Sequence, residues 1–176
     1  MRDMTLDPEN PIPSPLDLEK SVFAAYGGAV AAISTVERNL HLALVNERIA
    51  RARQEGNTLA DPFGKAERET FNALVKRVAP LCASDSSLAA DLAVAVKRRN
   101  YLVHDFWYYK VYAALTEDGQ KALLTELRRD NAVFEDINER LVKAVVDPGL
   151  VALGVDPDFG KVAFMATLKA YEEASE

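Results

Sequence analysis

The stretch LDLEKSVFAAYGGAVAAISTVERNLHLALVNERIARAR, residues 16–53, contains no proline and keeps its apolar residues at helical spacing. With about 100° of rotation per residue, Val22, Ala25, Ala29, Ile33, Val36, Leu40, Ala43 and Leu44 form a single stripe. This spacing predicts one long helix from Leu16 to Arg53 that buries one face. Gly27-Gly28 sits inside it and should cost about 1–2 kcal/mol of helix propensity. Close approach of another backbone and a kink are both open as reasons for tolerating the pair.

The prolines divide the rest of the chain. Four of the eight fall at positions 8, 11, 13 and 15, so residues 1–16 read as an extended arm. The windows 16–61 and 81–147 hold none, and both are rich in Ala, Leu, Val, Glu, Lys and Arg, the residues that favour helices. QEGNTLADPFG at 54–64 reads as a loop, followed by a short helix from Lys65 to Ala79 that Pro80 stops. The hydroxyls of Ser84–Ser86 are expected to cap a further helix running through Leu88, Leu92, Val96 and Val103. Another spans Glu117 to Val146, burying Leu123, Leu124, Leu127, Phe134, Ile137, Leu141 and Val145, and ends at Asp147-Pro148-Gly149. Residues 148–176 read as a loop with one short terminal helix. No alternating strand pattern and no solenoid-length repeat is present. The expected fold is all-α: an antiparallel bundle of four to five helices occupying residues 17–147 as one domain.

Composition excludes several functions. There are 27 aspartates and glutamates against 21 lysines and arginines, a net charge of -6. A protein that coats nucleic acid by bulk electrostatics needs the opposite balance, so any nucleic-acid chemistry must be confined to a small basic site. One cysteine, Cys82, excludes a disulfide scaffold and multi-cysteine metal centres and suggests a reducing compartment. Two histidines, His41 and His104, argue against a histidine-rich metal site, and no metal or cofactor is expected. No apolar run reaches the length of a membrane span, and the N-terminus lacks the pattern of a signal segment. A soluble cytoplasmic protein is the expectation.

One stretch does not read as scaffold. Leu88, Leu92, Ala95, Arg99, Val103 and Phe106 fall on one helical face, with Arg99 in the middle of the apolar stripe. A buried guanidinium needs a partner, a cleft or an interface. Asn100 and His104, four apart, lie side by side on the adjacent flank, within reach of the arginine side chain. In the first helix Glu37 lies at the edge of the apolar stripe and could hold Arg99 in a bidentate ion pair, with His41 bordering the same space. A plain structural salt bridge accounts for Arg99 equally well. The run Phe106-Trp107-Tyr108-Tyr109 with Tyr112 reads most simply as an aromatic wedge between helices, and alternatively as a stacking platform for bases. Cys82 has no activating histidine near it in sequence and reads as inert.

The segment RRNYLVHDFW, residues 98–107, resembles the arginine–histidine signature of HEPN domains, small all-helical domains found in prokaryotic toxins and defence proteins. The matching residues are Arg99, the polar Asn100 directly after it, and His104, with four residues between arginine and histidine. The resemblance extends over residues 18 to 146, but its specific part is these six residues. It implies metal-independent RNA cleavage by a homodimer in which two copies of the motif meet. Arg99 would neutralise charge developing on the phosphoryl oxygens, and His104 would move the proton of the ribose 2′-OH, with Asn100 orienting. Glu37 and His41 would support the site. The resemblance also implies a partner antitoxin for toxin-type members, some of which carry a tyrosine two residues after the histidine as a nucleotidylation site. Here Phe106 stands at that position, so that control could not operate. The alternative is a non-catalytic helical dimerisation or protein-interaction module in which Arg99, Glu37 and His104 form a structural polar network.

Overall fold

A computed structural model describes residues 15–57 and 69–158. Most of the proline-rich arm, the expected helix start at Lys65 and the expected terminal helix lie outside these residues. Among the described residues there is no strand, and four continuous helical rods carry the structure. The first is α1, Pro15–Gln54, about 60 Å long at 1.5 Å per residue. The second is short: α2, Phe71–Val78, capped by the Thr70 hydroxyl, which accepts from the Ala73 amide. The third joins α3, Leu88–Asn100, through a π turn at Tyr101–Asp105 to α4, Phe106–Lys110. The fourth joins α5, Glu117–Leu141, through a second π turn at Val142–Val146 to α6, Asp147–Ala152.

Side-chain contacts fix the directions. Asn39 meets Asn138 at 2.7 Å and Arg53 donates to the Leu153 carbonyl at 2.9 Å, so α1 and α5–α6 run parallel. Ser84 donates to the Ala144 carbonyl at 3.2 Å, while Arg98 reaches Asp130 at 2.7 Å, so α3 descends antiparallel to α5. The three long rods therefore go up, down and up. The expected antiparallel order holds for neighbours in the chain, but α1 and α5, the first and third legs, pack parallel. Their shared core includes Ile33, Val36, Leu40, Leu127, Phe134 and Leu141, all nearly inaccessible to water, and Leu88, Leu92, Leu102 and Phe106 join it from the third rod. That apolar burial is the main force holding the rods together.

Several local expectations are corrected. α1 passes through Gly27 and Gly28 without a break, and a Cβ at either would meet no backbone: nothing within 4 Å at Gly27, and only Asn131 Oδ1, 3.6 Å away, at Gly28. Nothing in the structure explains the pair. By contrast, α2 ends at Val78, just before Pro80 as expected, and Pro80 lies at the start of a following 3₁₀ turn at Ala79–Leu81. The α3 start is held by Asp85 instead of a serine hydroxyl. The Asp85 carboxylate accepts from the Ser87 and Leu88 amides at 3.2 and 3.1 Å. Nor does Asp147-Pro148-Gly149 end the last rod. Pro148 lies in the first turn of α6, where no N–H is required, and the Ala144 carbonyl four residues back is occupied by the Ser84 hydroxyl. Close approach is permitted instead at Gly119, where a Cβ would collide with the Ala113 carbonyl, and at Gly149, where it would come within 3.1 Å of the Asn46 side chain.

Candidate functional site

The last turn of α3 carries three consecutive basic residues, Lys97, Arg98 and Arg99, and its two adjacent arginines have different fates. Arg98 points into the groove between α3 and α5. Its Nε donates to Asp130 at 2.7 Å, one Nη2 pairs with both Asp130 and Glu126, and the guanidinium lies 4.6 Å from the centre of the Tyr101 ring. Burial pulls its pKa down, but the hydrogen bonds and charges of Asp130 and Glu126 outweigh burial and hold it charged. The same groove, floored by Ala95, Phe134 and Ile137, does not reach Arg99. Arg140 is likewise enclosed by carboxylates, those of Asp85, Asp91 and Asp136.

Arg99 has none. Among the described residues its hydrogen-bonding contacts are with neutral groups: Nη1 with Asn100 Oδ1 at 3.4 Å and with His104 Nε2 at 3.3 Å. Its Nε is buried without a partner. A guanidinium only donates, so His104 Nε2 must be the acceptor, and the contact belongs to the neutral imidazole protonated at Nδ1. Asn100 and His104 are exposed and Arg99 is half-buried. The three residues thus form one small polar cluster open to solvent, with a permanent cation, an amide and an imidazole within reach of a common ligand.

The way Arg99 and His104 meet was not legible from α-helical spacing. Five residues at 100° each leave two side chains about 140° apart, on different faces. The π turn resolves this: Phe106 N–H bonds to the Tyr101 carbonyl, five residues back, and the wider turn brings residues five apart into line. The register change also corrects the expected stripe. Leu102 is buried where Val103 was expected, and Val103 is 39% exposed.

The structure does not join Arg99 to Glu37. No ion pair links them among the described residues, and the axial positions give the reason. Tyr26 of α1 touches Leu102, so Glu37 stands eleven residues above that level and Arg99 only three, about 12 Å apart along the bundle. His41 stands a further turn up; it is half-buried, with Nδ1 unpartnered. Helical-wheel arithmetic fixes faces but not the vertical register between helices. The aromatic run is also divided. Phe106 and Trp107 form the expected wedge, with Tyr26 stacked on Phe106 at 5.4 Å and Phe23 against Trp107 at 5.1 Å. Tyr108, Tyr109 and Tyr112 are not part of it; they are 80%, 66% and 80% exposed. Cys82 is buried, and burial together with the nearby Asp85 pushes its thiol pKa up, away from reactivity.

Among the described residues no group of three or more histidine, cysteine or carboxylate side chains is arranged to hold a metal, and no helix is long and apolar enough to cross a membrane. Comparison of the chain with protein-family models, curated proteins and solved structures finds no match.

Proposed function

We propose that this protein is a HEPN-like, metal-independent endoribonuclease of toxin or defence type that acts as a homodimer. The observation that supports the reading most is the state of Arg99: a half-buried cation, next to the carboxylate-paired Arg98, whose own hydrogen-bonding partners among the described residues are Asn100 and His104. A cation left without a protein anion is suited to an anionic ligand, and a phosphodiester supplies one. His104, when it accepts the proton of a ribose 2′-OH, lets that oxygen attack the adjacent phosphorus. A 2′,3′-cyclic phosphate forms, the bond to the 5′-oxygen breaks, and that oxygen must gain a proton as it leaves. One cluster holds one imidazole. The second proton transfer falls to His104 of a second copy, and the exposed apolar side chains of Val103, beside His104 in the chain, and of Phe23, against Trp107, give that copy a face to meet. Arg99 stabilises charge on the phosphoryl oxygens and Asn100 orients the phosphate or the ring.

The test uses synthetic single-stranded oligoribonucleotides and matched strands carrying 2′-deoxyribose at every position. Cleavage of the first, resistance of the second, and cyclic-phosphate ends on the products are expected. Cutting of both strands alike removes the proposed chemistry. A non-catalytic dimerisation module is the second reading, favoured by the same exposed tyrosines at 108, 109 and 112. Under it Arg99→Ala changes the oligomeric state and no preparation cuts RNA.

A further inference from the structure

We infer that Tyr26 of α1 is a positioning residue for the Arg99–His104 pair, acting by holding open the π turn that brings them together. The claim that this matters for catalysis rests on the proposed nuclease reading; the claim about geometry does not.

A π turn is less favourable than the α turn it replaces and needs a compensating contact. Here the compensation is visible. In an α-helix the Phe106 amide would bond to the Leu102 carbonyl. In this turn that amide is committed to Tyr101, and the Leu102 carbonyl is taken by the Tyr26 hydroxyl at 3.0 Å. A partly buried carbonyl left unpaired would be costly, so the hydroxyl stabilises the π form over the α form at this one step. The Tyr26 ring is itself fixed, stacked on Phe106 at 5.4 Å and tilted against Trp107 at 5.2 Å, both just beyond the turn. Without the hydroxyl the Phe106 amide has reason to return to Leu102. The segment would then relax toward α spacing, and His104 would rotate away from Arg99. The hydroxyl of one helix therefore sets the register of two side chains on another.

The test reads that register directly. Arg99→His places two imidazoles five residues apart, and Asn100→His places two imidazoles four apart; nickel(II) is the probe in both. A π turn favours chelation by the first pair and an α turn by the second. In the Tyr26 background, Arg99→His is expected to bind nickel more tightly than the unsubstituted protein. Adding Tyr26→Phe, which keeps the ring and removes only the hydroxyl, should weaken that binding by about tenfold, the usual scale when a ligand's support is lost. The same addition should leave Asn100→His binding unchanged or tighter. A general loss of structure would weaken both pairs together, so a parallel fall in the two affinities overturns the inference, as does no change in either. In the otherwise unsubstituted protein, Tyr26→Phe should lower kcat on RNA by about tenfold or more with KM little changed. Should the nickel ratio shift while no variant cuts RNA, the positioning claim stands and the nuclease reading fails. Should the unsubstituted protein cut RNA while the ratio stays fixed, the nuclease reading stands and the positioning claim fails.

Discussion

Replacing Arg98 and Arg99 by alanine, one at a time, separates a structural arginine from a functional one at adjacent positions. Arg98→Ala strands Asp130, whose side chain is 9% exposed and which has Arg98 as its ion-pair partner. Removing one partner of a buried pair costs about 3–5 kcal/mol, because the remaining charge keeps its desolvation penalty. Water reaches part of this pair, since the Arg98 side chain is 31% exposed, and Glu126 keeps Lys110 at 2.9 Å. The expected loss is therefore nearer about 2–3 kcal/mol, which for a chain of this size lowers Tm by about 5–10 °C. Asp130→Asn added to Arg98→Ala should restore part of it by removing the stranded charge. Arg99→Ala removes no carboxylate's partner and should cost at most about 1 kcal/mol while abolishing RNA cleavage. Urea titrations of the three variants give the free energies, and a common gel assay gives the activity. Equal destabilisation by the two single substitutions would mean that Arg99 is scaffold and would undo the argument built on its lack of an anionic partner.

Three further outcomes follow from the start of α5 and from the ion pairs of Glu126. A Cβ at Gly119 would lie 2.7 Å from the Ala113 carbonyl carbon and nearer still to its oxygen, so Gly119→Ala should destabilise by about 2–3 kcal/mol in the same titration. Thr116→Ala, which deletes the cap to the Gly119 amide at 3.2 Å and the longer bond from the hydroxyl to the Ala113 carbonyl at 3.4 Å, should cost about 1 kcal/mol. Burial raises the Glu126 pKa, but hydrogen bonds from Arg98 and Lys110 outweigh burial and hold it below the usual 4.5. A depressed folded value means the unfolded chain binds the proton more readily, so this contribution is complete above pH 4.5 and declines as pH falls below it. Melting curves should drop through that acid range less steeply for Glu126→Gln than for the parent; identical slopes would remove Glu126 from the account.

How much of this was readable in advance varies with the kind of information each residue carries. Proline placement and the Val22–Leu44 stripe gave α1 within a residue at each end, because long-range burial of one face leaves a strong periodic trace. The end of the last rod was misjudged at Pro148, since proline forbids a helix interior but not a first turn. Arg99, Asn100 and His104 could be chosen as candidates from residue type and proximity in sequence. The π turn that joins the outer two could not, because it depends on the Tyr26 hydroxyl, seventy-six residues away from Leu102 in the chain. Arg98, in the basic run Lys97-Arg98-Arg99, reads by itself as part of a solvated face, but the facing helix carries the signal that it is paired. Asp130 occupies a position in the buried stripe Leu127, Phe134, Ile137, and a carboxylate there announces a cation on the facing helix. Glu37 was placed on the correct kind of face at the wrong height, an error that no single-helix periodicity can reveal.

The central claim is that His104 and Arg99 perform RNA chemistry without a metal. Its most direct test is to incubate the purified protein and its His104→Ala variant with one single-stranded RNA in excess EDTA. Cutting by the first is expected and, with the fold intact by circular dichroism, a loss of about 10²–10⁴-fold in the second. Equal cutting by both, or cutting that EDTA abolishes, would contradict it.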